Sequence, residues 1–295
     1  MLRREGRMIA LGRFKLHQLS DGVFRLDGGA MFGVVPKILW NRASPADEHN
    51  RIALNLGCLL IQTPTGKNVL VDTGLSSKYD RNKKFLDLYS VRRSPTLRDQ
   101  LKNLGLTPND IHLVINTHLH FDHAGGDTEL IDGKPAPQFP RAKYIVQKEE
   151  WEDANSAHER NKASYLPENY APLEEAKALE FVSGEFEIEP GLKVIRSGGH
   201  TRGHQCVLVE SEGRTAIFFG DLVPTRAHMP LPYIMGYDLY PVDTLEAKRD
   251  LLGRAKEQAW LLLFQHDPEQ RAGYLAQADG RMIVVPPEAF TPPRA

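Results

Sequence analysis

Two cysteines in 295 residues, Cys58 and Cys206, are too few for a disulfide framework. Both sit in apolar runs, Gly57-Cys58-Leu59-Leu60-Ile61 and Cys206-Val207-Leu208-Val209, where a thiol packs as a small inert side chain. No apolar run approaches the roughly twenty residues that span a bilayer. Arg3, Arg4 and Arg7 precede no apolar stretch long enough for a secretory signal. A cytoplasmic protein with no membrane partner is therefore expected. Neither sign of charge is in excess: 37 Lys and Arg stand against 38 Asp and Glu, a net charge of −1. Such a chain lacks the long-range field that gathers polyanions, so nucleic acid is not an expected partner. Internal repeats, low-complexity blocks and a Pro/Gly-rich linker are also missing. One domain is expected over residues 14–285, with a flexible leader over 1–13 and a flexible tail over 286–295.

What is present begins with strands. Leu16–Leu19 and Val23–Leu26 flank Ser20-Asp21-Gly22, and Leu54–Gln62 and Asn68–Val71 flank Pro64-Thr65-Gly66, so two hairpins are expected. Leu97, Leu101 and Leu104 share one face of a helix over 96–104 that Gly105 stops. Strands at Ile111–Asn116, Tyr144–Gln147, Leu192–Arg196, Cys206–Glu210, Thr215–Phe219 and Trp260–Phe264 then alternate with helices. Those helices are expected near 148–157, from Asp243 to about 257, and after Asp267-Pro268. The order predicts two sheets with helices on their outer faces.

The chemistry concentrates in Thr117-His118-Leu119-His120-Phe121-Asp122-His123-Ala124-Gly125-Gly126, directly after an apolar strand. Residues two apart in extended chain point the same way, so His118 and His120 can reach one ion. Asp122 and His123 follow a bend and can face a second. Imidazole and carboxylate suit a borderline metal such as zinc. Three later strands each lead to a further ligand candidate: His200, Asp221 and His266.

The succession His-x-His-x-Asp-His, Gly-His-Thr-x-Gly-His, Gly-Asp and a late strand-end His resembles the metallo-β-lactamase superfamily over about residues 14–285. The resemblance implies an αββα sandwich of two mixed sheets, with the site at one edge. Position by position, it implies that His118, His120 and His200 bind one ion and that Asp122, His123 and His266 bind the other. Asp221 would bridge the two, Asp72 would steady the ligands, and His204 would support them or pack behind them without ligating. His17, His49, His112 and His158 are expected as ordinary surface or turn histidines. Two divalent ions are the implied cofactor, zinc by default, with iron, manganese or cobalt also suited to this donor set.

Two ions, two carboxylates and one bridging hydroxide would leave about one net positive charge, which favours negative charge building on a substrate oxygen. Hydrolysis is expected, with the bridging hydroxide as nucleophile and Asp122 handling its proton. An aspartate at 221, where the best-known β-lactamases of this superfamily have Cys or Ser, argues against β-lactam cleavage. A histidine at 120, where the oxygen-reducing branch has Glu, argues against a redox role. The segments 31–36, 220–230 and 235–241 resemble the quorum-quenching N-acyl-homoserine lactonase and methyl parathion hydrolase branch, which implies a small lactone or ester substrate and a homodimer. The alternatives on the same metals are a phosphotriesterase or phosphodiesterase and a glyoxalase-II-type thioesterase. A binding or scaffold protein is the non-enzymatic alternative. The chain departs from the best-studied lactonases at Pro224, where they place a substrate-binding tyrosine. His228, Tyr233 and Tyr237 are the candidate replacements, and His228 and Tyr237 join Asp122 as expected catalytic residues. Met31, Phe32, Val34, Trp40 and Phe121 are expected at an apolar pocket mouth.

Overall fold

Side chains alternating between two buried faces divide the strands between two seven-stranded sheets. The computed structural model describes residues 8–156, 158–278 and 281–290. In chain order the strands are β1 (Met8–Leu11), β2 (Phe14–Asp27), β3 (Arg51–Gln62), β4 (Asn68–Val71), β5 (Leu113–Ile115), β6 (Thr128–Ile131), β7 (Lys134–Pro137), β8 (Lys143–Gln147) and β9 (Leu179–Val182). They continue with β10 (Phe186–Glu189), β11 (Leu192–Arg196), β12 (Gln205–Ser211), β13 (Arg214–Phe218), β14 (Leu261–Leu263), β15 (Ala272–Ala278) and β16 (Arg281–Val285). The first sheet runs β1-β2-β3-β4-β5-β8-β9, the second β10 through β16 in order, and β6-β7 is a separate hairpin. Both sheets are mixed: β4, β5, β8 and β9 pair in parallel, as do β13 and β14.

The inner faces meet in one core. Leu16, Leu59, Ile61, Val71 and Ile145 of the first sheet pack with Val194, Val207, Phe218 and Leu263 of the second. Each such side chain, once buried, contributes about 1.5–3 kcal/mol. Helices cover the outer faces. Leu97-Asn103 brings Leu97 and Leu101 onto the first sheet, behind a capping box formed by Thr96 and Asp99. Pro241–Glu257 brings Leu251, Leu252 and Ala255 onto the second. This is the αββα arrangement expected. Among the described residues no helix is long and apolar enough to cross a membrane.

Several elements differ from the sequence expectation. Ser20-Asp21-Gly22 is no hairpin turn: β2 runs straight through it with a register shift against β3. The reason is Asp21, whose carboxylate accepts from the backbone of Leu75 and Leu97 and pairs with Arg93, so it ties the bulge inward. The expected leader of 1–13 lies outside the described residues up to 7, but Met8–Leu11 is the edge strand β1. No helix opens at Asp267-Pro268. The Asp267 carboxylate does accept from Glu269 N and Gln270 N, but the chain then enters the hairpin β15–β16. The expected tail lies outside the described residues from 291. Before that point Phe290 stacks on Tyr274 at 4.1 Å.

Candidate metal centre

The strands deliver their loops to one edge of the sandwich. β5 leads into the loop carrying His118, His120, Asp122 and His123, and a single helical turn, Phe121–Ala124, turns the last two back toward the first two. β11, β13 and β14 of the opposite sheet lead to His200, Asp221 and His266. The seven expected ligand side chains come together in three overlapping groups: His118 with His120 and His200, His118 with His123 and Asp221, and Asp122 with His123 and His266. His200 Nε2 lies 3.1 Å from His120 Nδ1, and His266 Nε2 lies 3.2 Å from His123 Nε2. Asp221 stands between the groups, with one oxygen 3.2 Å from His200 Nε2 and the other 3.0 Å from His266 Nε2.

The donor set fits divalent cations. His118 Nε2 and His120 Nε2 are buried and have no hydrogen-bond partner among the described residues. Burial and the neighbouring imidazoles push both rings well below the usual histidine pKa, so they stand neutral with lone pairs available. Burial pushes the Asp221 carboxyl up, but His123, His266 and His200 outweigh it and hold the group well below the usual range, as an anion. Orphan imidazole nitrogens beside a buried carboxylate form the environment that a bound cation satisfies.

Outer contacts fix the rings. His123 Nδ1 donates to Asp72 Oδ2 at 3.0 Å, and Asp72 also accepts from Thr117 N at 2.7 Å and Thr117 Oγ1 at 2.8 Å. The Gln265 carboxamide stands 2.9 Å from the same imidazole nitrogen. His266 Nδ1 donates to Asn55 O at 2.8 Å, and His200 Nδ1 to Asp238 Oδ1 at 2.8 Å. His204 is 2.6 Å from Ser197 Oγ and accepts from Asp221 N at 3.0 Å, so it holds the Asp221 loop. Glu150, fully buried, accepts from Leu119 N, Tyr165 OH and Thr201 Oγ1, and so joins the loops on either side of His120 and His200. Asp238 and Glu150 escaped the sequence reading. Asp238 is a single acid in a loop, and Glu150 looks like an ordinary acid in the first turn of Lys148–Asn155.

Above these side chains opens a cavity of about 360 Å³. Leu26, Met31, Leu54 and Met235 line an apolar part of it; Arg160, Asn161, Ser164 and Tyr237 contribute polar atoms. Asp122 reaches the cavity with His120, His200, Asp221 and His266. His228 does not, which corrects the expectation of a catalytic histidine there. Its Nδ1 is 2.8 Å from Thr225 Oγ1 and its Nε2 2.8 Å from Met31 O, and its ring stacks on Phe32 at 4.4 Å. Burial pushes it down to about 3, which leaves a neutral packed ring. Tyr233 instead meets Phe32 edge-on. Pro224, at the position of the missing tyrosine, accepts from His266 N at 2.9 Å. Of the expected apolar mouth, Met31 and Phe121 line the cavity. Phe32 and Trp40 are buried against each other, and Val34 is 94% exposed. His17, expected near the surface, is buried on β2 beside Gln62. Cys58 and Cys206 are buried free thiols, as expected.

Comparison with known proteins points the same way. A family model described as the metallo-beta-lactamase superfamily matches residues 58–266. A probable metal-dependent hydrolase from Staphylococcus aureus superposes with a TM-score of 0.84 at 34% identity, over 94% of this chain and 99% of that one. The N-acyl homoserine lactonase AiiA of Bacillus thuringiensis subsp. kurstaki is 28% identical over 229 residues, 74% of this chain and 83% of its own. AidC, a dizinc quorum-quenching lactonase, shares the fold with a TM-score of 0.77 at 19% identity, over 98% of this chain and 99% of that one.

Proposed function

The chain belongs to the metallo-β-lactamase superfamily and is a hydrolase, and from that premise we propose that it is a lactonase opening N-acyl-homoserine lactones or related lactones. The observation that carries this reading is the cavity: donors for two cations at its floor, the clustered apolar side chains of Leu26, Met31, Leu54 and Met235, and hydrogen-bonding groups line one space. An acyl lactone combines the same two characters, a polar ring at one end and an apolar chain at the other.

His118, His120 and His200 would hold one divalent ion and Asp122, His123 and His266 the second, with Asp221 reaching both. Bound there, such a pair supplies Lewis acidity toward an ester carbonyl and a hydroxide nucleophile at neutral pH. The chain's own groups do the rest. Asp122, at the cavity floor, takes the nucleophile's proton and hands it to the departing alkoxide. Tyr237 lines the wall, and burial pushes its phenol up to about 12, so at neutral pH it is a donor for the substrate carbonyl. Leu26, Met31, Leu54 and Met235 receive the acyl chain and exclude water from it.

The test is a substrate panel on zinc-loaded protein: acyl-homoserine lactones of several chain lengths, simple γ- and δ-lactones, an aryl phosphotriester, S-lactoylglutathione and a cephalosporin. Lactones should turn over fastest. Turnover confined to the thioester or the phosphotriester would overturn the lactonase reading while leaving the hydrolase.

A further inference from the structure

Arg160 is the only Lys or Arg among the described residues lining the cavity. It lies on the segment after Lys148–Asn155, and its Nη2 donates across to Gly236 O at 2.9 Å and Asp238 O at 3.3 Å. Those two bonds tie it to the loop that carries Tyr237 and to the acid that orients His200. They also fix the plane of the guanidinium while leaving Nε and Nη1 uncommitted among the described hydrogen bonds. Each of these two nitrogens can still give a carboxylate a single charge-assisted hydrogen bond.

The charge around it is the second observation. Arg93, Arg202 and Arg226 each pair with carboxylates. No carboxylate of the described residues pairs with Arg160. Its positive charge therefore stands unneutralised in the wall of a cavity whose floor is built to hold two cations. Arg160 is itself exposed, and an anion lying between it and the floor is attracted by both. Asn161 and Ser164 line the cavity beside it, so this wall is polar, whereas Leu26, Met31 and Leu54 serve apolar groups elsewhere.

We propose that Arg160 is a specificity subsite for a carboxylate carried on the substrate away from the scissile bond, so that anionic lactones or esters are preferred over neutral ones of the same length. This rests on the hydrolase reading of the floor and narrows its substrate class.

The experiment uses zinc-loaded wild type, Arg160→Met and Arg160→Lys. The substrates are two γ-lactones whose side chains match in length, one ending in a methyl group and one in a carboxylate. Wild type should favour the carboxylate in kcat/KM, chiefly through KM. Arg160→Met should lower that preference ratio by about 30-fold or more, and Arg160→Lys should recover part of it. Arg226→Met, away from the cavity, should leave the ratio unchanged. Calorimetric binding of the opened, carboxylate-tailed product should weaken in parallel. Equal losses for both lactones in Arg160→Met would show a loop clamp and no subsite, and overturn the proposal, as would a wild type indifferent to the tail. Should neither lactone turn over, the lactonase reading fails, and calorimetry with the same tailed acid still decides for or against Arg160.

Discussion

Asp72→Asn isolates one charge behind the candidate metal centre. Asp72 has a positive φ of 52°, a conformation asparagine also tolerates, so the backbone need not move. The new carboxamide can still accept from Thr117 N through its oxygen. Its NH₂ then replaces the oxygen that faces Thr117 Oγ1 at 2.8 Å and His123 Nδ1 at 3.0 Å. The threonine hydroxyl can turn round and accept, but an imidazole N–H cannot. His123 must therefore move its proton to Nε2, the nitrogen that stands 3.5 Å from both Asp122 and Asp221 and is its only route to a metal. A protonated nitrogen does not ligate. Loss of such an orienting partner costs about 10–100-fold in metal affinity, or roughly 1.4–2.8 kcal/mol. Competition against a chromogenic chelator measures this directly, with the apoprotein melt as control for folding. Zinc affinity within about twofold of wild type, in a folded variant, would refute the claim that Asp72 sets the His123 tautomer.

Other positions give independent checks. Asp127 is buried, and burial pushes its carboxyl up to about 8, so the folded chain holds a proton that the unfolded chain releases from about pH 4 upward. That contribution to stability is complete at low pH and is lost as pH rises toward 8, so Asp127→Asn should melt increasingly above wild type from pH 5 to 8. A pH-independent gap between the two melts would contradict it. A Cβ on Gly203 would lie 2.2 Å from Glu150 N, a backbone atom that cannot swing away. Gly203→Ala should therefore cost about 1–3 kcal/mol in denaturant unfolding and lower zinc affinity through the displaced His200 loop. His228→Ala removes two hydrogen bonds and a stacked ring away from the cavity. It should cost roughly 2–4 kcal/mol of stability with normal zinc content, and turnover per folded molecule should fall far less than in Tyr237→Phe.

The layers and the ligand loops were legible because they rest on local pattern. Apolar strands ending in His or Asp announce both a buried strand and what hangs at its end. Less legible was anything fixed by partners distant in sequence. Ser20-Asp21-Gly22 has turn composition, yet Leu75, Arg93 and Leu97 hold it inside a strand. His228 has the same chemistry as a catalytic histidine, and only the Phe32 stack and the Met31 carbonyl show it to be packing. Arg160 could not be separated from other surface arginines until the cavity placed it.

Lys248, on the helix that covers the second sheet, is fully buried and donates to four main-chain carbonyls, those of His228, Pro230, Leu231 and Tyr233. One ammonium thus moulds a loop in the way a potassium ion would. The segment from His228 to Tyr233, which leads into the cavity wall at Met235, is held by an atom that never touches that wall. Evolution can recast that wall residue by residue for new substrates while this internal pin holds the segment that leads into it.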